Sequence, residues 1–169
     1  MSERPWETTP GHTEIREVLL WNEFGEAARE LARQIVASGF EFDVIVAIAR
    51  GGLLPAGAIS YALDTKKCAS LNVEFYSGIG ETLDEPMVLP PFLDVDSLRG
   101  RRVLLVDDVV DSGRTLQMVV RMLEEQGADV KSATLYEKPT TVIRPDFVWR
   151  RTARWIMFPW SAQPPVTAD

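Results

Sequence analysis

The chain is poor in the residues that build covalent frameworks and nucleophilic triads. A single cysteine, Cys68, among 169 residues excludes a disulfide framework and favours a reducing compartment. A single histidine, His12, argues against a zinc cluster and a Ser-His-Asp triad. Basic residues are outnumbered, 18 Lys and Arg against 25 Asp and Glu, for a net charge of −7. A surface of that sign argues against nonspecific nucleic-acid binding. No apolar run reaches membrane-spanning length, and Met1-Ser2-Glu3-Arg4-Pro5 lacks the apolar core of a secretion signal. These absences predict a cytoplasmic protein with no nucleic-acid and no membrane partner.

What is present is a chain 46% hydrophobic, enough for one core and too short for two ordinary domains. The expectation is a single domain over residues 1–169. Residues 1–13 read as a loose arm and 162–169 as a polar tail.

The most informative stretch is Val103-Leu104-Leu105-Val106-Asp107-Asp108-Val109-Val110-Asp111-Ser112-Gly113-Arg114-Thr115-Leu116. Four unbroken apolar residues read as a strand buried on both faces, expected to end at the two acids. A short loop holding Gly113 follows, then apolar residues at helical spacing, Leu116, Val119, Val120 and Leu123, with Gly127 as the stop. In open α/β sheets, ligands bind at the carboxyl ends of strands. Backbone N–H groups near residues 111–115 would converge at the helix start, where the dipole favours an anion. Ser112 and Thr115 add hydroxyls, and Gly113 is expected to let the backbone approach a phosphate closely. Asp107 and Asp108 would repel that phosphate. They suit sugar hydroxyls, a divalent cation, or a developing positive charge. A ribose 5-phosphate satisfies both halves.

Other segments surround this one. Phe24, Ala28, Leu31, Ala32, Ile35 and Val36 share one face of a helix from about Trp21 to Ser38-Gly39. Phe42 to Ala49 reads as a second buried strand, followed by Arg50-Gly51-Gly52 and a helix through Ala62 or Leu63, with Pro55 in its first turn. Ala69 to Tyr76 alternates like a less buried strand. Residues 77–96 carry glycines and prolines but no Lys, Arg or His, and read as a long, functional loop. Lys131 to Tyr136 and Phe147 to Trp149 are further strands. An aromatic ending, Trp155 to Trp160, precedes the tail.

The run from Val103 to Thr115 resembles the phosphoribosyl-pyrophosphate motif of type I phosphoribosyltransferases: apolar strand, acid pair, two apolar residues, small-residue loop ending in Thr. The ending, with Lys138, Trp155-Ile156 and Pro159-Trp160, is similar to that of the bacterial xanthine-guanine members. The resemblance implies an α/β fold: a mainly parallel twisted sheet flanked by helices, with a small hood from the two chain ends. It implies transfer of ribosyl 5-phosphate from phosphoribosyl pyrophosphate to a 6-oxopurine, with Mg2+ as cofactor and a homo-oligomer, dimer or tetramer, as the assembly. In that family the stretch 77–96 is a mobile catalytic loop.

Residue roles follow the same resemblance. Asp107 and Asp108 are metal- and ribose-associated carboxylates, and Asp111 handles the proton on the imidazole edge of the base. Arg50 and Gly51 form the pyrophosphate loop, where the family often has a non-proline cis peptide, so Ala49–Arg50 is a candidate. Val109, Val110, Ser112, Gly113, Arg114 and Thr115 complete the substrate loop. Lys138 donates to the 6-oxygen, Trp155 stacks on the base, and Ile156 offers backbone groups. Ser161 stands where the family has a metal-associated carboxylate. Two other classes compete, a receiver domain, disfavoured because its acidic strand opens the domain, and a ligand-sensing regulator of the same fold; within the family, a phosphoribosyltransferase for another base is the alternative.

Overall fold

The computed structural model describes residues 16–74, 77–78, 81–82, 87–89 and 95–167. In chain order the elements are β1 (Glu17–Val18), α1 (Trp21–Ala37), β2 (Val44–Ala49), α2 (Leu53–Ala62), β3 (Cys68–Glu74), β4 (Ser77–Gly78), β5 (Glu81–Thr82), β6 (Met87–Leu89), a 3₁₀ turn (Val95–Leu98), β7 (Arg102–Val110), α3 (Arg114–Glu125), β8 (Asp129–Glu137), β9 (Phe147–Arg151) and β10 (Ile156–Met157).

Six strands form the main sheet in the order β6-β3-β2-β7-β8-β9. Five of them run parallel, and β6 pairs antiparallel with β3 at the edge. β2 and β7 lie side by side, and their onward connections run to opposite flanks of the sheet. Such a reversal opens a crevice at the carboxyl ends of the two strands, and residues 50–52 and 111–113 stand at that end.

Two cores account for the layers. α1 and α2 pack on one face, where Leu31, Ile35, Ala56 and Ile59 meet Leu104, Val106, Ala133 and Leu135. α3 covers the other, placing Leu116, Val119 and Leu123 against Val46, Val103 and Leu105. The apolar periodicity of α1 and α3 therefore predicts the faces they bury, except that Val36, near the end of α1 and expected on its buried face, is 68% exposed. β1 and β10 pair in parallel, so the hood joins the two ends of the chain as expected. Among the described residues no helix is long and apolar enough to cross a membrane.

Several boundaries differ from the sequence reading. β2 starts at Val44 rather than Phe42, because the Asp43 carboxylate accepts the Arg102 N–H at 2.8 Å in place of a ladder bond. β7 does not stop at Val106 but runs through both acids to Val110, paired along β8. Only parts of the expected loop 77–96 fall among the described residues. They contain the β4–β5 pairing and strand β6. Phe75 and Tyr76, the expected end of β3, and the arm 1–13 lie outside the described residues.

Candidate active site

The acid pair sits inside β7, where side-chain alternation changes phase. Leu104 and Val106 face the α1/α2 core, and Val103 and Leu105 face α3. Beyond the acids the parity inverts: Val109 packs with the α1/α2 core and Val110 with α3. The Asp108 N–H donates to Asp107 Oδ1 at 2.9 Å. Burial pushes the Asp107 carboxyl well above the usual range, and the neighbouring charge of Asp108 adds to this. Burial also raises Asp108, while N–H groups and the Trp160 indole aimed at its carboxylate work against the rise. Both acids nonetheless keep part of their surface open to solvent. Concentrating two carboxylates where their ionisation is disfavoured suits a site completed by positive charge.

The loop after β2 closes over Asp108. Ala49–Arg50 is a cis peptide, Arg50 is exposed, and Gly51 lies so near that a Cβ there would overlap the Asp108 carboxyl group. Gly51 thus brings bare backbone to the acid pair, although it lies more than fifty residues away in the chain.

After β7 the chain bends through residues 111–113 into α3, which no side chain caps with a standard bond. The nearest substitute is a long 3.4 Å contact from the Arg114 N–H to Ser112 Oγ. Uncapped N–H groups at a helix start are an anion-binding arrangement. Asp111, Ser112 and Arg114 are exposed there, and Thr115 is partly so. Val110 is only 2% exposed, so only its backbone is available to a ligand, whereas Val109 is partly buried against the α1/α2 core. Gly113 has φ +80°, a left-handed value. Its missing Cβ makes room for protein rather than ligand: it would overlap Thr141 Oγ1 and lie 3.1 Å from Ile143 Cγ2. The segment behind the loop is also tied to it, by Val142 N–H to the Ser112 carbonyl at 3.0 Å and Thr140 Oγ1 to the Asp111 carbonyl at 3.4 Å.

A third segment comes from the end of β8 and the hood. The Lys138 N–H donates to the Val110 carbonyl at 2.8 Å, while its ammonium donates to the Arg154 carbonyl. Lys138 is thereby joined to the residue before Trp155, which is 53% exposed. β1 fixes the direction of the backbone that follows. Glu17 N–H donates to the Trp155 carbonyl at 2.8 Å, and Leu19 N–H donates to the Met157 carbonyl at 3.0 Å. Peptide groups alternate along a strand, so Ile156 turns its own N–H and C=O away from β1. Its side chain is buried. Lys138 and the adjacent pair Trp155 and Ile156, which lies well after it in the chain, are brought to one end of the sheet.

Two features escaped the sequence reading. Glu137 resembles a surface acid beside Lys138 but is 3% exposed, paired with Arg151 at 2.7 Å and Arg144 at 3.8 Å. Trp160, read as core packing, does stack on Phe158 at 4.8 Å between centroids, yet also faces Asp108. Its position after Pro159 in the aromatic ending was the available signal. For Glu137 there was none, because its partners meet it only through strand pairing. Among the described residues no group of three or more His, Cys, Asp or Glu is placed to hold a metal.

The comparisons agree with this geometry. A family model described as phosphoribosyl transferase domain matches residues 14–166. A xanthine-guanine phosphoribosyltransferase of Gluconobacter oxydans is 34% identical over 146 residues, 85% of this chain and 83% of that one. The crystal structure of a purine phosphoribosyltransferase from Pyrococcus horikoshii is 36% identical, with TM-score 0.76 over 91% of this chain and 99% of that one. The Helicobacter pylori xanthine-guanine-hypoxanthine enzyme shares the fold at 22% identity, with TM-score 0.73 over 87% and 94%. Because the match spans the sheet, the acidic strand and the hood together, the chain belongs to the phosphoribosyltransferase family.

Proposed function

We propose that this phosphoribosyltransferase moves the ribosyl 5-phosphate of phosphoribosyl pyrophosphate onto a 6-oxopurine: hypoxanthine, guanine or xanthine. The observation that carries the base assignment is the contact of Lys138 Nζ with the Arg154 carbonyl beside exposed Trp155. A donor-only cation next to an open aromatic face suits a purine with an oxygen at position 6. The names of the relatives support the same class.

In this reading the 5-phosphate rests on the N–H groups at the start of α3, with Ser112 and Thr115 as hydroxyl donors and Arg114 alongside. Asp107 and Asp108 face the ribose hydroxyls, and Arg50 with the Gly51 backbone faces the pyrophosphate. The bond from the anomeric carbon to the pyrophosphate oxygen breaks, and its electron pair leaves with pyrophosphate. Positive charge grows on the sugar, where the two carboxylates favour it. An imidazole nitrogen of the base supplies the pair for the new bond, and Asp111 accepts the imidazole-edge proton.

The donor set fits magnesium: oxygen-only, two adjacent carboxylates, with substrate and water left to complete the shell as this ion prefers. Bound there, magnesium supplies neutralising charge for pyrophosphate. Asp107 and Asp108 would hold it, and Ser161 adds no carboxylate. The unpaired Cys68 suits a cytoplasmic setting. Exposed Val36, Leu53 and Tyr61 support a homo-oligomer, which light scattering tests against a monomer.

The direct test incubates the protein with phosphoribosyl pyrophosphate, magnesium and each base. Pyrophosphate and the matching nucleoside monophosphate are expected together with the 6-oxopurines. Absence of both products with all three overturns the assignment.

A further inference from the structure

Glu137 is a buried carboxylate that the proposed chemistry does not use. It ends β8, one residue before Lys138, and its side chain is 4% exposed, whereas those of Arg144 and Arg151 are 80% and 66% exposed. Arg151 Nε donates to Glu137 Oε2 at 2.7 Å, and Arg144 Nε lies 3.8 Å from the other oxygen. The backbone repeats the link, since Thr152 N–H donates to the Glu137 carbonyl at 3.1 Å. Arg151 ends β9, in register with Glu137, and opens the turn 152–155. That turn carries Trp155 and the Arg154 carbonyl on which Lys138 rests. A cavity of about 330 Å³ lies against this junction, lined by Lys138, Thr141 and Thr152 beside the ion pair.

Resting on the base assignment above, we propose that Glu137 is a positioning residue for the purine subsite. Through Arg151 it holds the turn 152–155 at a set distance from Lys138, so that the cation and the Trp155 face meet the base together. Three properties point this way. A buried carboxylate needs a cation, and losing one partner of such a pair is far worse than losing both. The two charges close a ring through Lys138, Arg154, Arg151 and Glu137, so a shift in one propagates to the rest. Arg144, longer in reach and more exposed, is a weaker second tether.

The test measures steady-state kinetics of Glu137→Gln, Arg151→Gln, the double variant and Arg144→Gln, with guanine and phosphoribosyl pyrophosphate varied separately. Misplacing a binding group by about 1 Å costs up to ~10²-fold. The KM for guanine is therefore expected to rise about tenfold or more in each of the first two variants. Their kcat and their KM for phosphoribosyl pyrophosphate stay within about twofold. The double variant is expected to show a guanine KM no higher than the larger single effect, because both substitutions remove the same link, and Arg144→Gln to change little. Glu137→Gln removes the buried charge and leaves its partners in solvent, so it reports even where Arg151→Gln, which strands the carboxylate, does not fold. An unchanged guanine KM in a folded single variant, or equal rises for both substrates, overturns the positioning role. Wild-type protein inactive with every 6-oxopurine overturns the base assignment instead, and the two failures are distinct.

Discussion

A Cβ added to Gly51 would occupy the place of the Asp108 carboxyl group. The relationship joins the loop after β2 to strand β7, and makes the acid's position depend on a residue with no side chain. Asp108 is partly exposed, so its carboxyl group can swing aside to admit a methyl group, at the expense of its set position. Gly51→Ala is therefore expected to keep the fold and lose substrate. Overpacking costs of ~1–3 kcal/mol correspond to roughly fivefold to 150-fold in affinity for phosphoribosyl pyrophosphate with magnesium. Calorimetric titration checks this, and native affinity would show that Asp108 does not need its present place.

Gly113→Ala is expected to act on the protein itself. Its φ of +80° disfavours any side chain, and the new Cβ would collide with Thr141. At ~1–2 kcal/mol for the backbone alone, Tm should fall by at least several degrees, at ~2–4 °C per kcal/mol for a chain of this size. A Tm equal to wild type would mean that residues 141–143 give way freely.

The acid pair predicts a pH dependence with a definite sign. Asp107 is raised above its unfolded value, first by burial and then by Asp108. Its contribution to stability is fully present below the unfolded pKa of about 3.9 and is lost as pH rises through the higher folded value. Asp43, held low mainly by its hydrogen bond to Arg102, acts in the opposite direction, so the comparison must be with a variant. In Asp107→Asn the decline from wild-type Asp107 disappears. Ligand-free Tm near neutral pH is expected to exceed wild type while activity collapses. Scanning calorimetry from pH 4 to 8 without metal measures it, and parallel curves for the two proteins would remove the argument.

Asp111 lies exposed at the bend before α3, close to the proposed phosphate cradle but free of the acid pair. Asp111→Asn keeps the shape and removes the proposed proton acceptor. Turnover should drop ~10²–10⁴-fold, the usual share of general acid–base catalysis, with phosphoribosyl pyrophosphate still bound. Unchanged kcat would end that role.

The parts legible from sequence were those where hydrophobic pattern and structure share a cause. Leu104 to Val106 had to be a doubly buried strand, and Leu116, Val119 and Leu123 had to face one core. Charge misled the reading where it was tertiary in origin. Asp107 and Asp108 looked like a strand terminus, yet β8 keeps β7 paired past them. Gly113 looked like room for a ligand, but its neighbours Thr141 and Ile143 come from beyond the following strand. β1 and β10 are two residues each, too short for any periodicity. Glu137 was illegible because Arg144 and Arg151 reach it only after β8 and β9 align.

The central claim is that the base is a 6-oxopurine chosen through Lys138. An ammonium can only donate, so the 6-amino group of adenine would face it donor to donor. Sites that match a polar group reject the wrong partner by ~10⁴-fold or more. Trp155 makes no such distinction, since stacking accepts any purine face. The decisive measurement is kcat/KM for guanine, xanthine, hypoxanthine and adenine at saturating phosphoribosyl pyrophosphate and magnesium, in wild type and Lys138→Ala. The account predicts adenine lower by about 10⁴-fold, with the gap narrowed in Lys138→Ala chiefly by losses on the oxopurines. Adenine turned over as efficiently as guanine by the wild-type protein would contradict it.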